Sequence, residues 1–175
     1  MDVDITFTKP RGRFVPISWL IRIFDGLPKA PAKYSHVALE WGCPYVGISS
    51  AYHASGSNVH LINKKLFDKK VIRIKKYTFT LTEEELQKHS KFIFKYAGTT
   101  YSQKQIAGIF LTKAGLAKTN PFTDGNHGQV CSEVVGRWLW EVKGIDVGSN
   151  LDNTGPVQID KFLESLSEAV LVGAQ

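Results

Sequence analysis

The sequence predicts an α+β fold, an antiparallel sheet packed against helices. Between residues 3 and 79 most segments alternate apolar and polar residues, the period of half-buried strands. From residue 82 onward the apolar positions recur at helical spacing, and helix-capping signals appear. The chain has 175 residues, a length that fits one domain over 1–175 with a substantial core.

The elements follow in order. VDITFT, residues 3–8, reads as a first strand, and Pro10 and Gly12 mark a turn. Pro16 stands where a helix starts, with Ile17, Leu20, Ile21 and Phe24 on one face and Gly26 and Pro28 at its end. YSHVALEW, residues 34–41, reads as a strand with Val37, Leu39 and Trp41 on one face and His36, Ala38 and Glu40 on the other. Gly42-Cys43-Pro44 turns the chain into a second strand ending near His53, Ala54 and Ser55, so the two are expected to form a hairpin. NVHLIN and KKVIRIKKYTF read as two further strands of a meander, with KKLF as a short turn between them.

Thr82 with Glu85 forms a capping box that opens a helix to about Tyr96, closed by Gly98. A further helix runs from Ser102 to about Leu116, and residues 117–128 form a polar loop. Val130, Val134, Val135, Trp138 and Leu139 then give an apolar helix face that begins at Cys131 and ends at Gly144. Pro156 starts a last helix, and EAVLV closes with a strand.

Net charge is +6 with pI near 9.3, which suits anionic partners such as a cell-wall polymer. The basic residues are scattered, with short pairs at Lys64-Lys65, Lys69-Lys70 and Lys75-Lys76, so they read as a solvated surface, and no nucleic-acid motif is present. Two cysteines make no disulfide framework and fit a reduced, cytoplasmic compartment. The first thirteen residues lack the apolar core of a signal peptide. No apolar run reaches membrane-spanning length, the longest, Ile17 to Phe24, being broken by Arg22.

The chemistry centres on Cys131. At a helix N-terminus a thiol meets the positive end of the macrodipole and unpaired backbone N–H groups, both of which favour the thiolate. The alternative is a small buried hydrophobe on a core helix. A cysteine nucleophile needs a base within reach and a third group to orient the base. Of five histidines, His36 is the best placed, because the small Ala38 on its face leaves room above the ring for a helix N-terminus. The competing reading is a satisfied, half-buried histidine. His53, on the adjoining strand, can approach His36 and fix its tautomer. His60 and His89 read as surface positions, and His127, in the loop before Cys131, is a weaker base candidate. Cys43 sits in a turn with nothing to lower its pKa. His36, His53 and Cys131 could converge on a metal, but no close-spaced ligand pair accompanies them, so no metal and no cofactor are expected.

The order of histidine strand, polar residue on the next strand and late cysteine helix resembles the circularly permuted papain-like superfamily. In that group the histidine strand precedes the nucleophile helix, and lecithin:retinol acyltransferase-like proteins and permuted NlpC-like amidases and peptidases of bacterial or phage type share the order. The resemblance rests on YSHVALEW, AYHASGSNVHLINKKLF, YAGTTYS, QVCSEVVGRWL and TGPVQIDKFLES, over roughly residues 3–165. It implies a permuted NlpC-like fold, Cys131 as nucleophile, His36 as base and His53 as the orienting residue. The oxyanion hole would take the N–H of Cys131 and a further donor, Gln129 or Tyr34. The chain has Val130-Cys131-Ser132-Glu133 where the acyltransferase branch carries an asparagine-cysteine-glutamate stretch, and it shows no C-terminal membrane anchor. Both departures favour a hydrolase of peptide or cell-wall amides working through a thioester. A lipid thioesterase or acyltransferase, and a non-catalytic binding or virion module on the same fold, are the alternatives.

Overall fold

The computed structural model describes residues 1–12, 15–26, 30–43, 47–122, 128–148, 151–166 and 170–172. Its centre is a sheet built from β1 (Asp2–Pro10), β2 (His36–Cys43), β3 (Ile48–Ser55), β4 (Asn58–Asn63), β5 (Val71–Thr80) and three short strands, β6 (Thr100–Tyr101), β7 (Gly128–Gln129) and β8 (Val170–Val172). Their order is β7-β6-β4-β3-β2-β1-β5-β8. Neighbours are antiparallel except β6 and β7, which run parallel, so the sheet is mixed and mostly antiparallel. The expected hairpin is present, with Leu39 opposite Tyr52 and Trp41 opposite Ser50.

The expected meander stops at β4. β5 does not extend it but crosses over to pair with β1. The reason is local: KKLF is not a turn but part of a helix, α2 (Lys64–Lys70). Asn63 caps it by accepting from the Lys65 N–H at 2.9 Å. α2 sets Phe67 on the small side chains of Ala38 and Ala51. The chain thereby crosses one face of the sheet before re-entering it beyond β1, whose Val3, Ile5 and Phe7 are fully buried.

The opposite face carries the main core. Val37, Leu39, Tyr52, Ala54, Val59, Tyr77 and Phe79 meet α3 (Glu83–Tyr96), α5 (Cys131–Lys143) and α6 (Pro156–Ser165). The capping box at Thr82 and Glu85 forms as the sequence predicts. The face of α5 is buried at Val134, Val135, Trp138, Leu139 and Val142, each side chain worth about 1.5–3 kcal/mol of burial. Gly144, at φ +68°, ends α5 in the left-handed conformation. Glu133, fully buried on the first turn, is paired with Arg137 one turn on and accepts from Gln105 Nε2 at 3.0 Å. These contacts leave the cysteine helix little freedom to shift along the sheet.

α1 (Pro16–Gly26) does not lie on the sheet. It packs on α4 (Gln103–Lys113) and α6, with Phe24 stacked on Phe110 at 4.9 Å between centroids. Three polar ties hold it: Ser18 to Ser35 at 2.5 Å, Arg22 Nε donating to the Ala32 carbonyl at 2.6 Å, and Asp25. Asp25 is buried, pairs with Lys113, and accepts from the Val157 N–H at 2.7 Å, capping α6 from outside. A Cβ at position 155 would strike the Asp25 carboxylate, so Gly155 is what lets it approach.

Candidate active site

Cys131 is the first residue of α5. Backbone N–H groups of Val37 and Ser132, and its own, lie near its sulfur and favour the thiolate. Burial opposes them and wins, with a small contribution from the Asp25 carboxylate, so the thiol is pushed up to about 11. The expectation of a thiolate made stable by the helix terminus is therefore overturned in this conformation. The backbone donors are present, but desolvation is the larger effect.

His36 and His53 are brought together: His36 Nε2 lies 2.9 Å from His53 Nδ1. The pair stands beside Phe67, with the His53 and Phe67 ring centroids 4.9 Å apart. Burial, and next the neighbouring His60, holds His36 at about 4. Burial followed by His36, His60 and Lys70 holds His53 well below the usual imidazole range. Both rings are thus neutral at pH 7.

The expectation that the helix N-terminus rests over the Ala38 face is corrected. That face is taken by Phe67, and α5 covers the other face, against Val37 and Leu39. The thiol meets the histidine strand at its end, through the Val37 backbone. Among the described residues no hydrogen bond joins Cys131 to His36. With Nε2 on His53, Nδ1 is the His36 nitrogen left for a further partner.

Two cavities flank the site. A slot of about 30 Å³ beside Cys131 is lined by Ile106, Ile109, Val130 and Pro156. A larger cavity of about 370 Å³ is lined by His36, His53, Phe67 and residues of α1. Ile21 and Tyr101 line both, and so form the partition between thiol and histidines. Tyr101 carries no role in the sequence reading, although it lies in the YAGTTYS segment. Its hydroxyl is held above the usual phenol range by burial and then by Cys131, with which it lines the smaller slot. A lone tyrosine ahead of a helix cap carries no signal for that position.

The remaining candidates separate. The Tyr34 hydroxyl donates to Asp160, across the core, and is committed there. Gln129 is fully buried, and among the described residues neither atom of its side-chain amide has a partner. Cys43 is a free, partly exposed thiol at the end of β2. His89 is not a surface residue: it is buried, accepts from Trp138 Nε1 at 2.9 Å, and packs edge-on against Trp41. His60 is half-buried, its ring centroid 4.6 Å from that of His53. His127 lies outside the described residues. Among the described residues no helix is long and apolar enough to cross a membrane.

No protein-family model matches the chain. No curated protein matches it either. Among solved structures it is similar to the metalloprotein YiiX of Escherichia coli O157:H7, a DUF1105 protein, with a TM-score of 0.60 at 18% identity, over 98% of this chain and 96% of that one. At that identity the likeness is one of fold, an α+β architecture matched from end to end.

Proposed function

We propose that the protein is a permuted papain-like cysteine hydrolase that cleaves an amide, in a peptide or a cell-wall peptide, through a thioester on Cys131. The observation that carries this reading is the placement of three groups. A thiol on the first residue of a helix abuts the backbone of Val37, whose preceding residue, His36, is hydrogen-bonded to a second histidine.

The charge states decide the mechanism. With the thiol at about 11 and His36 at about 4, the resting pair is neutral rather than a thiolate and imidazolium. At pH 7 only about 10⁻⁴ of such a thiol is ionised, so attack needs a general base. His36 serves by taking the proton on Nδ1 as sulfur adds to the carbonyl carbon. That requires Nε2–H to donate to His53 Nδ1, which orients the ring and leaves the His53 proton on Nε2, a buried atom without a partner. The oxyanion is held by the N–H of Cys131, with the Tyr101 hydroxyl, which lines the same slot, as a side-chain donor candidate. His36 then protonates the leaving amine, and water releases the acyl enzyme. Because Ile21 and Tyr101 stand between thiol and base, substrate entry must displace one of them.

The solved neighbour is named a metalloprotein. Here the two imidazoles bond to each other instead of converging on a common point, and among the described residues no three His, Cys, Asp or Glu form a metal-holding group. The donor set does not fit, and no step is routed through a metal.

One observation favours a second reading, a non-catalytic module on the same fold: the thiol is buried and protonated at rest. Incubation with p-nitrophenyl acetate at pH 7.5, read by intact mass and peptide mapping, separates the two. The hydrolase acquires one acetyl group on Cys131, absent in Cys131→Ala and unchanged in Cys43→Ala. An unmodified Cys131, or an adduct confined to Cys43, overturns the assignment.

A further inference from the structure

The larger cavity has a composition that the hydrolase chemistry does not require. Its wall is aliphatic and aromatic, from Val15, Ile17 and Ile21 beside α1 to Phe67 and Val71 beside α2. The His36–His53 pair also lines it. Among the described residues its lining includes one cation, Lys70, and no Asp or Glu. Among the described residues no ion pair engages Lys70, whereas the neighbouring Lys64 and Arg73 are both paired to Asp68 and Glu40. Val15 and Ile17 are 43% and 42% exposed, an arrangement that costs free energy unless something apolar covers them. At about 370 Å³ the space matches a small-ligand site.

We propose that this cavity binds an aliphatic chain ending in an anionic group, the chain against Ile17, Ile21, Phe67 and Val71 and the anion at Lys70. The charge pattern sets the orientation: among the described residues the lining has no carboxylate and one cation without an ion pair, so the negative end goes to Lys70. The ligand is a medium-chain carboxylate. It lies across the partition from Cys131, since Ile21 and Tyr101 face both spaces. The proposal goes beyond the hydrolase reading and does not depend on it: the carboxylate is held at Lys70, in a cavity that Cys131 does not line, and is not the group that the thiol attacks.

Binding is measured calorimetrically on the Cys131→Ala protein, so that failure of the chemistry does not affect the result. Hexanoate, octanoate and decanoate should bind with affinity rising about fourfold for each added methylene. Ile17→Asp, at a half-exposed position that tolerates the change, should weaken decanoate about tenfold or more. Lys70→Ala should weaken decanoate about three- to fivefold and leave decanol unchanged. An affinity that does not change with chain length, or a decanoate affinity indifferent to Ile17→Asp, overturns the proposal. N-acetyl-leucine binding as tightly as decanoate, with the same Lys70 dependence, also overturns it and assigns the cavity to the C-terminal residue of a peptide.

Discussion

His36→Ala is expected to slow acylation of Cys131 at pH 7 by about 10³- to 10⁴-fold while leaving the fold intact. The magnitude follows from the thiol. Held at about 11 by burial, it supplies only about 10⁻⁴ of itself as thiolate, and the base makes up the difference. The deficit should therefore shrink about tenfold for each pH unit between 7 and 10, as hydroxide replaces the missing base. His53→Ala should cost less, because it removes the group that orients the ring and not the ring itself. Stopped-flow acylation by p-nitrophenyl acetate across this range reads both effects. A deficit equal at every pH would mean that His36 holds structure and moves no proton.

Acidification is expected to cost about 3 kcal/mol of stability through His89 alone. Burial lowers this histidine to about 4, against 6.5 in the unfolded chain. The unfolded state therefore binds the proton first. The contribution is complete above pH 6.5, is lost as pH falls from 6.5 to 4, and is constant below. Its Nδ1 already accepts from Trp138 Nε1, and Nε2 is buried without a partner among the described residues, so protonation would place an uncompensated charge in the core. His36 and His53 are shifted the same way and steepen the same window. Urea unfolding of the wild type and of His89→Gln at pH 7 and pH 4.5 measures the share due to His89. A variant whose stability falls as steeply as the wild type would remove His89 from this role.

The strands and helices that carry the site were legible because each rests on local patterning. Alternation in YSHVALEW, the Thr82–Glu85 capping box and the apolar face from Val130 to Leu139 all act within a few residues. The pairing of His36 with His53 was legible too, since a hairpin fixes which residues meet. What the sequence did not display depends on contacts distant along the chain. The crossover of β5 to β1 depends on Phe67 finding Ala51 and Ala38, the alanine that otherwise reads as space for a catalytic helix. His89 reads as polar, yet Trp138, 49 residues away, gives its nitrogen a donor and lets it be buried. The protonation of Cys131 reverses the helix-terminus argument because the thiol is buried, beside a slot lined by Ile21 and Asp25 of α1, which is tied through Ser18, Arg22 and Asp25. None of those ties is a motif.

The most direct test compares two reactions of Cys131 in the wild-type protein over pH 5 to 10. Alkylation by iodoacetamide reports the free thiolate, and acetylation by p-nitrophenyl acetate reports the base-assisted thiol. With the thiol at about 11 and His36 at about 4, alkylation should climb about tenfold per pH unit through the whole range, and acetylation should be nearly flat above pH 6. If the two rates instead rise together and level off near pH 8.5, Cys131 is an ordinary thiol with no base beside it, and the proposed mechanism fails.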